Sequence, residues 1–251
     1  VVGAVGEIFS SLQGEGLYVG RRQVFVRFYG CPLRCVYCDT KEFWTPKPAC
    51  RVEVSPGSGK FRERGPLDVG GVVREVVRLR TADTHSVSLT GGEPLASSQF
   101  LLELLRRLRE EGLRTYLETA GTDPGVVREI SGLLNFACVD LKLPDHGAVP
   151  LSRWRNLVES ELECIRMLKG EGVEVFGKTV LLKTSSPKIF LEVCKRLSKL
   201  EVPLVLQPVT PLGGAKPPTT AQLLRMSSLA SSCGVGEVAV IPQVHKLMGL
   251  P

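Results

Sequence analysis

The chain has 251 residues, of which 43% are hydrophobic and 23% charged, with 26 Gly and 17 Pro. That balance excludes a disordered or collagen-like chain, and the length suits one domain, 1–251, with a sizeable core. An excess of 32 Lys and Arg over 26 Asp and Glu gives a net charge of +6, which tolerates an anionic ligand without requiring nucleic acid.

Residues 1–10 carry Glu7 and no basic stretch ahead of an apolar block, so no signal peptide is read there and the cytoplasm is the expected location. The clean apolar runs, such as 202–206, are strand-sized, and no membrane span is expected. Residues 24–29, Val-Phe-Val-Arg-Phe-Tyr, alternate and are β-branched or aromatic, which predicts a strand running straight into a cysteine-rich loop. The segment 42–66 carries Pro, Gly and charge without a period and reads as a long surface insertion with room for a short hairpin.

Beyond it the pattern alternates. Helices are predicted over 69–80, 98–111, 124–132, 153–170, 187–200 and 220–232, and strands over 85–89, 114–118, 135–141, 173–182, 204–208 and 237–241. Gly112, Gly132 and Gly170 stand where a left-handed residue would end a helix. Strand then helix, repeated about six times, predicts a parallel sheet of βαβ units; periodicity alone does not separate a barrel from an open sheet. The polar motifs all fall at predicted strand carboxyl ends: Arg27 and Cys31, Thr90-Gly91-Gly92-Glu93-Pro94, Glu118-Thr119, Asp140-Leu141-Lys142, and Gln207-Pro208-Val209-Thr210. In α/β folds that edge is the ligand-binding rim.

Of the 8 cysteines, Cys138, Cys164, Cys194 and Cys233 sit in apolar surroundings, while Cys31, Cys35 and Cys38 crowd into one loop. Three soft ligands suit iron-sulfur or zinc. Zinc would want a fourth ligand, for which Cys50 is the candidate, and a redox pair at Cys35 and Cys38 would leave Cys31 unexplained. A four-iron cluster with one iron free for a ligand is the remaining option. His85, His146 and His245 have no metal-site spacing; His245 is placed to help position the chain end.

The spacing Cys31, Cys35, Cys38 after a first strand, followed by Gly91-Gly92-Glu93-Pro94 at the end of a second, resembles the radical S-adenosylmethionine (SAM) superfamily. The resemblance implies an incomplete parallel (β/α)6 barrel in which the three cysteines hold a 4Fe-4S cluster. It also implies that the fourth iron binds SAM, which electron transfer cleaves to a 5'-deoxyadenosyl radical. A narrower series, residues 7–16, 24–27, Cys38-Asp39-Thr40, Glu118-Thr119, Gln207-Pro208 and the terminal proline, looks like the 7-carboxy-7-deazaguanine synthase family and spans almost the whole chain.

That family resemblance implies a carbon-nitrogen lyase that rearranges 6-carboxy-5,6,7,8-tetrahydropterin to 7-carboxy-7-deazaguanine with loss of ammonia, towards deazaguanine-modified nucleosides. It assigns the substrate to Leu12, Gln13, Gly14, Glu15, Arg27, Thr90 and the free carboxylate of Pro251, with Arg27 on the substrate carboxylate. SAM falls to Gly92, Asp140, Leu141, Lys142, Gln207, Pro208, Val209 and Thr210, although Lys142 equally suits a plain rim charge. Mg2+ falls to Thr40, loop orientation to Asp39, and the role of base for the carbon 7 proton to Glu118. An electron donor such as flavodoxin or ferredoxin and a homodimer are the expected partners, with no direct nucleic acid and no membrane. Two alternatives stand beside this reading: an enzyme that makes a glycyl radical on a protein partner, and a non-catalytic module stabilised by zinc.

Overall fold

The computed structural model describes residues 3–250. Its first strand, β1 (Val5–Leu12), pairs antiparallel with β2 (Arg22–Phe28). β1 has no apolar-polar alternation, because Glu7, Ser10 and Ser11 are buried along with its apolar residues. Glu7 takes Arg27 and Arg51, Ser10 Oγ accepts from Arg22 Nε at 3.2 Å and its amide donates to Glu53 at 2.8 Å, while Ser11 Oγ has no hydrogen-bond partner among the described residues.

The 42–66 segment is part of the sheet. β3 (Cys50–Glu53) pairs parallel with β1, and β4 (Phe61–Arg64) pairs antiparallel with β3. The short hairpin for which the segment had room is therefore an edge extension of the sheet, with most of 42–66 exposed and Cys50 fully buried in the outer core.

From β2 onward the chain alternates. It runs through α1 (Val69–Leu79), β5 (Ser86–Gly91), α2 (Ser98–Glu110), β6 (Thr115–Thr119), α3 (Pro124–Ile130), β7 (Phe136–Asp140) and α4 (Leu151–Gly170). It continues with β8 (Glu174–Leu181), α5 (Pro187–Leu197), β9 (Leu204–Pro208), α6 (Thr220–Ser232), β10 (Val238–Val240) and the single turn α7 (Val244–Leu247). Strands β2, β5, β6, β7, β8, β9 and β10 pair in that order, all parallel. The whole ten-stranded sheet runs β10-β9-β8-β7-β6-β5-β2-β1-β3-β4 and does not close on itself.

Helix starts follow side-chain chemistry. Asp68 accepts from the Gly71 amide, Asp123 accepts from Gly125 and Val126 ahead of Pro124, and Thr219 and Gln222 form a reciprocal capping pair. The stops differ in part from expectation. Gly112 is left-handed at φ 67°, but after α4 that role falls to Gly172 at φ 77°, and Gly132 sits inside a 3-10 turn that continues α3.

Side chains alternate across each strand, and the two faces have opposite fates. Val87, Leu89, Leu117, Val139, Leu181 and Leu206 point outward into one continuous core beneath the helices. A Leu89→Ala change there belongs to the class that costs about 2–5 kcal/mol. Tyr116, Phe136, Cys138, Phe176 and Val205 point inward and fill the amino end of the barrel, where Leu17 and Tyr18 of the Gly16–Tyr18 turn pack against them. Above that floor the inward positions become polar. Among the described residues no helix is long and apolar enough to cross a membrane.

Candidate active site

The inward residues at the strand carboxyl ends surround one cavity of about 210 Å³. β2 contributes Arg27, β5 Thr90, β6 Glu118, β7 Asp140, β8 Lys178 and β9 Gln207, and in β6 to β9 each stands two positions beyond an inward residue of the apolar floor. The loop after β2 brings Cys31, Cys35 and Cys38 to the same cavity. Behind the thiols, Leu33, Ala120, Ala148 and Leu157 form an apolar cushion. Burial pushes the Cys31 thiol up to about 11 and raises Cys35 as well, so without a bound metal these groups stay protonated.

Two glycines explain the Thr90-Gly91-Gly92 turn. Gly91 has φ 105°, closed to ordinary side chains, and a Cβ on Gly92 would lie 2.3 Å from the Gly30 carbonyl oxygen. The following Glu93 is buried and accepts from the Leu95 amide (3.1 Å), Thr119 Oγ1 (2.6 Å) and the Ala120 amide (2.7 Å), which ties the β5 rim to the β6 rim.

At the opposite side of the cavity, Gln13 Nε2 donates to Glu118 Oε1 at 2.7 Å and to Gln23 Oε1 at 3.0 Å, while Ser88 Oγ donates to Glu118 at 3.2 Å. Burial raises the Glu118 carboxyl above the usual range, and the Lys178 ammonium pulls it part of the way back. Arg27 donates to Glu7 Oε2 at 2.7 Å and lies over the Phe9 ring, so it forms the rim ion pair and still borders the cavity. Arg51 of β3 holds the other Glu7 oxygen at 3.2 Å.

Three side chains without an expected role complete the site. Lys178 Nζ pairs with Glu15 Oε2 and lies 3.4 Å from Asp140 Oδ1. Tyr37, between two of the cysteines, receives the Lys142 ammonium at 3.3 Å. Gln243 Nε2 donates to Glu15 Oε1 at 2.7 Å and to Asp39 Oδ2 at 3.1 Å. No motif announces any of them, because their partners lie far along the chain; a lysine at an inward parity of an otherwise apolar strand was the one available signal.

Lys142 is buried rather than a rim charge. It pairs with Asp140 Oδ2 at 2.7 Å, and although burial opposes ionisation, Lys142 and Lys178 hold the Asp140 carboxyl down at about 2. His146 is a neutral structural histidine: burial, then Lys142, presses it to about 3, and its ring accepts from the Leu143 amide and donates to the Val180 carbonyl. Two expected SAM residues do not reach the cavity: Leu141 points into the outer core, and Pro208 is not among the lining residues. Both have the outward parity of their strands. Leu12, Gly14, Thr40, Val209 and Thr210 do border it, and Pro251 lies outside the described residues.

A model of the radical SAM superfamily matches residues 25–204. The chain is 38% identical over 256 residues to the 7-carboxy-7-deazaguanine synthase of Thermococcus kodakarensis, covering 98% of each chain. It is 34% identical over 250 residues to that of Methanocaldococcus jannaschii, covering 98% and 99%. The chain belongs to the 7-carboxy-7-deazaguanine synthase family. Among solved structures, QueE from Escherichia coli shares the fold at a TM-score of 0.59 and 20% identity, over 97% of this chain and 95% of that one. Streptococcus suis SuiB bound to S-adenosylmethionine follows at 0.56 and 14%, over 85% and 48%.

Membership of this synthase family implies a 4Fe-4S cluster and SAM, and the residues present fit both. Three thiols of one loop border one cavity, the donor set that a cluster with an open iron needs. Beside them, Gln207 Oε1 is buried with no hydrogen-bond partner among the described residues, which leaves an acceptor for a polar ligand. In this synthase Cys50 takes no part in that donor set, since it lies in the outer core.

Proposed function

We propose that the chain catalyses the reaction of its family, the conversion of 6-carboxy-5,6,7,8-tetrahydropterin to 7-carboxy-7-deazaguanine with loss of ammonia. The observation that carries this reading is one cavity with the three thiols on one wall and Arg27, Thr90, Gln13, Glu15 and Glu118 around the rest. Cys31, Cys35 and Cys38 would hold the cluster, and SAM bound beside it would supply the radical chemistry needed to remove hydrogen from carbon 6 of the pterin.

The protein's own groups do the rest. Arg27 has donors beyond the one used on Glu7 and holds the substrate carboxylate. Glu15, ionised beside Lys178, accepts from the amino-pyrimidine edge. Glu118 has Oε1 engaged by Gln13 and Ser88 and offers Oε2 to the carbon 7 proton. Asp140, Lys142, Gln207, Val209 and Thr210 meet SAM, with Gly92 allowing close backbone approach.

Thr40 would hold a magnesium ion together with the substrate carboxylate; Asp39 is already engaged by Lys246 at 2.6 Å and by Gln243 and orients the loop. The reading extends to a cytoplasmic homodimer of single-domain chains that draws electrons from a flavodoxin or ferredoxin. Neither a glycyl-radical activator nor a zinc module has support in the family membership.

The test is anaerobic incubation of cluster-loaded protein with SAM, reductant, magnesium and the carboxytetrahydropterin, followed by mass spectrometry. Formation of the deazapurine with SAM unconsumed is the expected result; cleavage of SAM without any deazapurine would refute the assignment. Thr40→Ala should lose the response of turnover to magnesium while keeping the visible absorbance of the cluster. An unchanged response would remove magnesium from that position.

A further inference from the structure

Lys178 sits at the inward parity of β8 between Phe176 and Val180, and only 7% of it is exposed. A buried ammonium is costly unless it is paired and hydrogen-bonded. Packing does not require it there, since Phe176 and Tyr116 already close the barrel floor. Asp140 is met by Lys142 on Oδ2 at 2.7 Å, with Lys178 the more distant cation at 3.4 Å from Oδ1. The group that Lys178 contacts most closely is Glu15, which it reaches directly across a gap of 163 residues in sequence.

Glu15 is thereby held by one donor on each oxygen, Lys178 on Oε2 and Gln243 on Oε1. A carboxylate has about four acceptor positions, so each oxygen keeps room for one more donor. Glu15 lines the cavity, and an ionised carboxylate pinned in this way has an acceptor position left on each oxygen. It complements a ligand edge with two adjacent N–H groups, and it opposes one that offers a carbonyl.

We infer that Lys178 is a positioning residue that sets substrate specificity, fixing Glu15 as an acceptor pair that selects a 2-amino-pyrimidine edge over a 2-oxo edge. This rests on the proposed function, which places the pterin ring against Glu15.

Two air-stable probes separate the cases in cluster-loaded protein with SAM: 6-carboxypterin, and the matching lumazine with oxygen in place of the 2-amino group. The parent should prefer the pterin on the order of tenfold or more, the usual scale for a charged hydrogen bond. Lys178→Met should lose most of that preference by weakening the pterin and not the lumazine, and Lys178→Arg should restore part of it.

The double variant Glu15→Gln, Lys178→Met removes both charges and guards against a misfolded single variant. Its pterin affinity should be no weaker than that of Glu15→Gln alone, because Lys178 acts through Glu15. Equal weakening of both probes or additive losses in the double variant would each overturn the inference and leave the functional reading standing. Failure of the parent to bind 6-carboxypterin would overturn both.

Discussion

Cys31, Cys35 and Cys38 share a cavity edge, and Cys50 shares only its chemistry with them. Replacing any one of the three by Ala should abolish SAM cleavage and the brown absorbance, since a cluster without one anchor loses iron or its open position. Cys50→Ala should keep both and lose only stability, on the order of 1 kcal/mol. A colourless Cys50 variant containing zinc would reverse this assignment. Glu118 carries a sharper expectation. Burial raises its carboxyl above the ordinary 4.5, and Lys178 opposes the rise. A base must be unprotonated, so turnover should climb with pH through that raised value. Glu118→Gln should lack this limb and most of the rate; an identical pH profile in the variant would exclude the residue as the base.

At the scale of elements, α4 supports the site through Leu157 behind the thiols and through Glu161 beneath Lys142. Both Glu161 oxygens accept from the Lys142 amide at 3.1 Å, and the side chain is wholly buried. Burial drives its carboxyl well above 4.5, against the opposing Lys142 amide and charge. The folded protein therefore keeps a proton that the unfolded chain releases, and stability contributed here falls as pH rises past 4.5. Glu161→Gln cannot titrate. Its denaturation midpoint relative to the parent should rise across that interval, and a constant difference between the two would show that Glu161 is not the titrating group.

The elements themselves were legible to different degrees. The βα alternation from residue 69 onward was plain because each helix has one apolar stripe and each strand a short apolar run. β1 escaped because Glu7, Ser10 and Ser11 are buried on it, and such burial depends on Arg51 and Glu53 of a hairpin about forty positions away. Outward Leu141 and Pro208 were included with their inward neighbours because a linear motif does not reveal parity.

For the molecule as a whole, the motif residues report where the rim lies but not how an unclosed barrel is sealed. The gap beside β10 is spanned by residues 243–246. The Val244 amide donates to the Gly14 carbonyl at 2.9 Å, the His245 ring occupies the space a Gly14 Cβ would need, and Lys246 pairs with Asp39. Gly14 is thus small for a tertiary reason, which local turn chemistry alone could not supply. Few bonds, some of them partly exposed, hold this seal, whereas β5 to β8 are paired on both sides beneath a fully buried core. Regions with few buried contacts open locally at low cost. Amide exchange should therefore be much faster over residues 244–248 than over β5 to β8, and it should slow when a carboxypterin binds, because Glu15 then fastens Gln243 from one side and ligand from the other. The measurement is hydrogen-deuterium exchange read by mass spectrometry with and without 6-carboxypterin. Protection of 244–248 equal to that of β5 to β8 before ligand is added would mean that the seal is part of the rigid barrel and takes no part in admitting substrate.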